Sequence, residues 1–201
     1  MLLIASTTAK AQQEPHYTQN QFNSNLLLNP AYAGSDIDNT SIGLRYRNQW
    51  TGFTGAPKTI GLIADTRHKK LGMGFTFNFD KIGIEQHITP DLNLSYHIKV
   101  SEKANLSIGL KGGIEMIKAN FANLVNVDPS DPLYTGGGKL NIPYLGLGAL
   151  YYNPKFYIGL SSPRLFNFDN PASPRSKVGA AHYYAYGGAR LVTKNDIEFR
   201  P

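Results

Sequence analysis

The stretch from Thr40 to Thr66, TSIGLRYRNQWTGFTGAPKTIGLIADT, decides the fold. Ile42, Leu44, Tyr46 and Trp50 share one parity, and Ser41, Gly43, Arg45, Arg47 and Gln49 share the other. That is the period of two imposed by a pleated strand, with one apolar face and one polar face. Thr51-Gly52-Phe53-Thr54-Gly55-Ala56-Pro57 breaks the pattern with two glycines and a proline, and Ile60, Leu62 and Ala64 open a second run. The segment therefore reads as one long β-hairpin. Its cationic polar face points either to bulk water in a soluble sandwich or to a wet lumen in a membrane barrel. In the barrel, Trp50 falls where an aromatic girdle belongs.

The alternation continues outward from this hairpin. Leu71, Met73, Phe75, Phe77 and Phe79 alternate with Gly72, Gly74, Thr76, Asn78 and Asp80. Leu92, Leu94, Tyr96, Ile98 and Val100 alternate with Asp91, Asn93, Ser95, His97 and Lys99, and a turn follows at Ser101 to Asn105. Leu106, Ile108, Leu110, Ile114 and Met116 then oppose Ser107, Lys111 and Glu115. Further strands are expected over Ile142 to Tyr152, Phe156 to Leu160, His182 to Val192 and from Ile197 onward, with long loops at Phe121 to Lys139 and Ser162 to Lys177. Tight turns on one side and long loops on the other suit an antiparallel transmembrane β-barrel of the outer membrane. About nine strands result, and an odd count leaves open edges, so roughly three to five C-terminal strands are expected to be missing from this chain. A soluble β-sandwich is the rival fold.

The composition agrees with lipid-facing strands. Of 201 residues, 20 are Gly, 12 Tyr and 10 Phe, and only 17% are charged. The mean hydropathy of -0.29 looks soluble, but alternation hides the apolar half of a barrel. The net charge of +6 raises nucleic acid as a partner, yet His68-Lys69-Lys70 is the only tight basic cluster and falls at a turn, so no nucleic-acid partner is expected. The absence of Cys excludes disulfides and thiol chemistry. Met1 to Gln12, MLLIASTTAKAQ, reads as the end of an apolar region followed by the small-x-small site Ala9-Lys10-Ala11. Residues 1–11 are thus read as a clipped signal peptide, 12–38 as a periplasmic or plug segment, and 39–201 as a partial barrel.

No residue set points to catalysis. His16, His68, His87, His97 and His182 lack the spacing of a local metal site. His97 and His182 fall on polar faces and are read as solvated lumen residues, with a lumen pair as the alternative. Asp65, Glu115, Arg45, Arg47, Lys99, Lys111 and Arg190 share the polar face and read as a mutually compensating charge network. Gly136-Gly137-Gly138-Lys139 lacks the context of a phosphate loop, and no G-x-S-x-G occurs. No enzyme activity, cofactor or metal is expected.

Several blocks, in order, resemble the PorP/SprF family of outer-membrane proteins of the type IX secretion system of Bacteroidetes. They are Asn29-Pro30-Ala31-Tyr32-Ala33-Gly34, Arg47-Asn48-Gln49-Trp50-Thr51-Gly52-Phe53, Gly55-Ala56-Pro57-Lys58-Thr59 and Asp80-Lys81-Ile82-Gly83. Leu94-Ser95-Tyr96, Ser101-Glu102-Lys103, Leu106-Ser107-Ile108-Gly109-Leu110, Phe156-Tyr157-Ile158-Gly159-Leu160-Ser161 and His182-Tyr183-Tyr184 extend the likeness over nearly the whole chain. The resemblance implies a non-enzymatic barrel in the cell outer membrane, in a system linked to gliding motility. It implies outer-membrane lipid, periplasmic secretion-machine proteins and lipoproteins, and a secreted protein or adhesin as partners. A porin or small-solute channel is the alternative function. Asn29, Pro30, Tyr32, Gly34, Arg47, Gln49, Trp50, Gly52, Phe53, Gly55, Pro57, Asp80 and Gly83 are the matching motif positions, read as structural or docking residues.

Overall fold

The computed structural model describes residues 25–36, 40–120, 138–168, 181–189, 191–192 and 198–199. Residues 1–24, which hold the expected leader, loop residues 121–137 and Arg190 lie outside them. A short 3-10 turn at Pro30–Tyr32 precedes β1 (Ser41–Asn48), β2 (Lys58–His68), β3 (Leu71–Ile82), β4 (Glu85–Ser101) and β5 (Ala104–Ala119). β6 (Gly138–Tyr152), β7 (Phe156–Asn167) and β8 (Tyr184–Ala189) follow, then a separate pair, β9 (Leu191–Val192) and β10 (Glu198–Phe199). The first eight form one antiparallel sheet in chain order, each paired with its sequence neighbour, so β1 and β8 are its edges among the described residues.

The sheet is curled into a half-barrel, as cross-sheet contacts require. Arg67 on β2 donates from Nη1 to the Tyr152 hydroxyl on β6 at 3.2 Å. Four strand spacings of about 4.8 Å would separate these strands by ~19 Å on a flat sheet, farther than the two side chains can bridge. Residues 29–34 likewise touch both Asp65 on β2 and Tyr186 on β8. A six-residue segment holding a helical turn cannot span the ~29 Å that six flat strand spacings would need.

Polarity is inverted relative to a soluble core. On the concave face Thr76, Asp91, Asn93, Ser95, His97, Lys111 and Glu115 are buried. On the convex face Leu44 is 79% and Leu92 is 65% exposed. Register makes the convex apolar residues continuous: Leu71 faces Tyr96, Tyr96 faces Ile108, Ile108 faces Ala149 and Ala149 faces Leu160. On β4 the outward run Ile88, Pro90, Leu92, Leu94, Tyr96 and Ile98 spans about ten residues. At ~3.4 Å per residue and a lean of about 40° that gives ~26 Å along a barrel axis, against the ~25 Å apolar band of outer-membrane barrels. No helix among the described residues is long and apolar enough to cross a membrane, so any crossing is made by strands.

The strands depart from the sequence expectation where local rules were overridden. Trp50 continues the parity of β1 but lies two residues past its end with φ 51, in the loop that returns to β2. β4 begins at Glu85 and runs through Pro90; its pairing with β5 is interrupted between Ile88–Met116 and Asp91–Gly113, with the register unchanged, around the proline, which has no N–H to give. β7 extends to Asn167 through the stretch expected as loop, because a bulge opposite Leu145 and Leu147 absorbs Pro163. The bulge breaks alternation, and Ser161, Ser162, Pro163 and Arg164 are all buried.

Candidate functional site: the segment on the concave face

Residues 25–36 lie against the polar wall. Asn29 has extended backbone and caps the 3-10 turn, its Oδ1 accepting from Ala31 N at 2.9 Å, and Pro30 supplies the fixed φ that a first helical position favours. The Asn29 Nδ2 donates to Ala149 O at 3.0 Å and lies 3.4 Å from Leu160 O, pinning the segment to β6 and β7. Gly34 N donates to Asp65 on β2 at 3.0 Å, and Lys111 on β5 donates to Leu27 O at 2.8 Å. Ser95 donates to Ala33 O at 2.6 Å. Tyr32 stacks on Tyr186 with ring centroids 6.2 Å apart and meets Tyr157 edge-on at 6.4 Å. Leu26, Leu27, Leu28, Ala31 and Ala33 are buried, so this segment supplies much of the apolar interior of an otherwise polar lumen.

The wall is shaped to receive it. One inward register row reads Gly72, Ser95, Gly109, Gly148 and Ser161 across β3 to β7. A Cβ on Gly72 would overlap Ala33 O, one on Gly109 would overlap the Pro30–Ala31 peptide, and one on Gly148 would overlap the Asn29 amide. Gly34 completes the fit with φ +61, where a Cβ would collide with the Arg67 side chain and the Thr66 carbonyl. Gly72, Gly109 and Gly148 thus form a groove for close backbone approach.

Histidine 97 belongs to this groove. It is 1% exposed, which corrects the expectation of a solvated lumen residue. Its Nε2 lies 2.9 Å from Ala33 O, an obligate acceptor, so Nε2 carries the proton and donates. Nδ1 is left to accept from the Tyr152 hydroxyl at 3.1 Å, which in turn accepts from Arg67. His182 is half-buried ahead of β8, and these contacts of His97 leave no place for a His97–His182 pair.

Toward the other end of the lumen the charges compensate one another, with partners the sequence did not reveal. Lys111 Nζ sits 3.6 Å from Asp91, both essentially buried, and Asp91 also accepts from Thr76 at 2.9 Å and from the Tyr144 hydroxyl. Arg164 donates to Glu115 at 2.7 Å and lies over the Tyr144 ring, 4.4 Å from its centroid. Glu115 also meets His87 Nδ1 at 3.0 Å. Arg164 escaped the sequence reading because only the bulge turns it inward; the signal was Glu115, a carboxylate on an inward position that required a cation. Of the other expected members, Arg45 donates to Asn78 at 3.3 Å, and Asp65 accepts from Ser41. Lys99 is exposed, Arg47 is half-buried, and Arg190 lies outside the described residues. No cluster of three or more His, Asp or Glu with metal-holding geometry occurs among the described residues.

The motif positions fall into two groups at opposite ends. Asn29, Pro30, Tyr32 and Gly34 sit in the groove, near the end closed by the turn Lys69–Lys70 and the turn between β4 and β5. Arg47, Gln49, Trp50, Gly52, Phe53, Gly55, Pro57, Asp80 and Gly83 sit at the other end. There Gln49 N donates to Pro57 O at 3.0 Å and Gly83 N donates to Gly55 O at 2.9 Å, joining the β1–β2 loop to the β3–β4 turn. Thr59 donates to Asp80 just beneath. Trp50 and Phe53 project from this rim, 71% and 76% exposed.

A convex face apolar over the height of a bilayer, around a polar interior occupied by its own chain, defines an integral membrane protein of the β-barrel type. The family model described as type IX secretion system membrane protein PorP/SprF matches residues 9–201, and the chain belongs to that family. It is a membrane component of the type IX secretion system. No curated protein matches it, and neither does a solved structure.

Proposed function

We propose that this protein is a non-enzymatic outer-membrane component of the type IX system that engages periplasmic secretion-machine proteins and lipoproteins and helps export and anchor a secreted protein or adhesin. The tight-turn end faces the periplasm and the long-loop rim faces outward, following the usual asymmetry of outer-membrane barrels. The observation that carries the reading is the seating of residues 25–36 across β2 to β8 on the lumen wall. A lumen filled by backbone held on a glycine groove suits a scaffold for protein partners rather than an open diffusion path. The buried carboxylates support the same view, since Asp91 and Glu115 are each tied to a cation and to hydrogen-bond donors.

Native extraction of the tagged protein tests this directly. Type IX periplasmic components are expected to co-purify, and deleting the gene is expected to leave at least one substrate in the periplasm. Extraction of the protein alone, with secretion unimpaired, refutes the role. Planar-bilayer recording separates the porin alternative, for which steady conductance through the purified protein is required.

A further inference from the structure

Beyond the lumen, one outward row stands out by charge. Lys58 faces Lys81, Lys81 faces Gln86, Gln86 faces Lys118 and Lys118 faces Lys139 in the ladder from β2 to β6. Each lies two residues from the neighbouring convex row of Ile60, Phe79, Ile88, Met116 and Asn141, so all five share the lipid-side parity. The four lysines are exposed, and none is in an ion pair with another described residue. Like charges directly opposite on paired strands repel, and here this occurs twice, at Lys58–Lys81 and Lys118–Lys139. At the other end of the apolar band the last paired row, Ile98, Leu106, Tyr151 and Ile158, is uncharged, and the lysines of that rim, Lys69, Lys70, Lys103 and Lys155, lie in turns instead of opposite one another on paired strands.

We infer that this lysine row is a binding belt for the phosphates of a lipid headgroup at the long-loop rim. It continues the apolar band that meets the acyl chains, so a lipid whose tails lie on Phe79 and Met116 presents its headgroup at the height of the ammonium groups. The phosphates cancel the cross-strand repulsion that the row otherwise carries. Because barrel strands lean by about 35–45°, a row spanning four strand spacings climbs ~12 Å along the axis. That climb favours a headgroup carrying more than one phosphate over a single-phosphate lipid. The inference rests on the proposed membrane embedding, but not on any secretion partner.

The test uses the purified protein in neutral detergent, away from the secretion machine. A bisphosphorylated glucosamine-disaccharide lipid, its dephosphorylated form and inorganic phosphate are the probes, and retained lipid is counted by native mass spectrometry. The wild-type protein is expected to retain the bisphosphorylated lipid, and K58Q/K81Q/K118Q/K139Q to retain it at least tenfold less. K69Q/K70Q/K103Q/K155Q removes the same charge from the opposite rim and is expected to bind like wild type. Equal retention by the first variant, equal loss in the second, or displacement of the lipid by inorganic phosphate at matched concentration overturns the inference. If the quadruple variant fails to fold, K58Q/K81Q and K118Q/K139Q are each expected to lose at least threefold, and unchanged binding in both is equally decisive. Loss of secretion with lipid retention intact, or the reverse, tells failure of one proposal from failure of the other.

Discussion

Replacing Lys111 by Met probes what holds the inner segment and the lumen wall together. Lys111 is 0% exposed and Asp91 is 3% exposed, so the substitution leaves a carboxylate in the interior with only its Thr76 and Tyr144 donors. It also leaves Leu27 O without the ammonium that it accepts from. Breaking a buried pair from one side costs about 3–5 kcal/mol, and an orphaned carbonyl adds about 1–3 kcal/mol if water cannot reach it. Replacing Asp91 by Asn strands the cation instead and should cost a similar ~3 kcal/mol. The double variant removes both charges at once, so its loss should fall short of the sum by at least ~2 kcal/mol. Urea unfolding in micelles, followed by the heat-modifiable gel mobility of barrels, gives all three values. Additivity of the two single losses within about 0.5 kcal/mol would falsify the claim that these charges are partners.

Three further outcomes follow from the same geometry. Gly109→Val places side-chain atoms where the Pro30–Ala31 peptide lies; overpacking of about 1–3 kcal/mol should lift the segment from the groove. Because the chain has no native cysteine, a reporter at Leu28→Cys should then react with a maleimide about tenfold faster or more, whereas an unchanged labelling rate contradicts the groove. Leu94→Arg, near the middle of the convex band, should cost about 2–4 kcal/mol in a bilayer if that face meets lipid; a loss under about 0.5 kcal/mol would place the face in water. Arg164→Met should destabilise by about 3–5 kcal/mol through the stranded Glu115 carboxylate, and adding Glu115→Gln should recover at least half of the loss; no recovery in the melt of the double variant argues against the pair.

Much of the fold was legible because it depends on short-range periodicity. The parity of Ile42, Leu44 and Tyr46 against Arg45 and Arg47, and of Phe75, Phe77 and Phe79 against Thr76, Asn78 and Asp80, follows from the pleat alone and fixes which face is oily. The pattern also signalled that His97, Lys111 and Glu115 face inward, as they do. Trp50 was misplaced by the same rule, since parity does not announce where a strand stops. The strand content of Ser162 to Asn167 was hidden by Pro163, whose disruption a bulge absorbs.

What the chain by itself determined is thus the alternation, the hairpin connectivity and the apolar exterior, all products of backbone geometry repeated every two residues. Only the tertiary structure decided which strands' residues meet. Curling the sheet brings Arg67 to Tyr152 and lays Asn29 to Gly34 over the row of Gly72, Ser95, Gly109, Gly148 and Ser161. Those neighbours are separated by tens of residues in sequence and by several strands in the ladder. Their contact depends on curvature and stagger, which are collective properties of the whole sheet that no local pattern encodes.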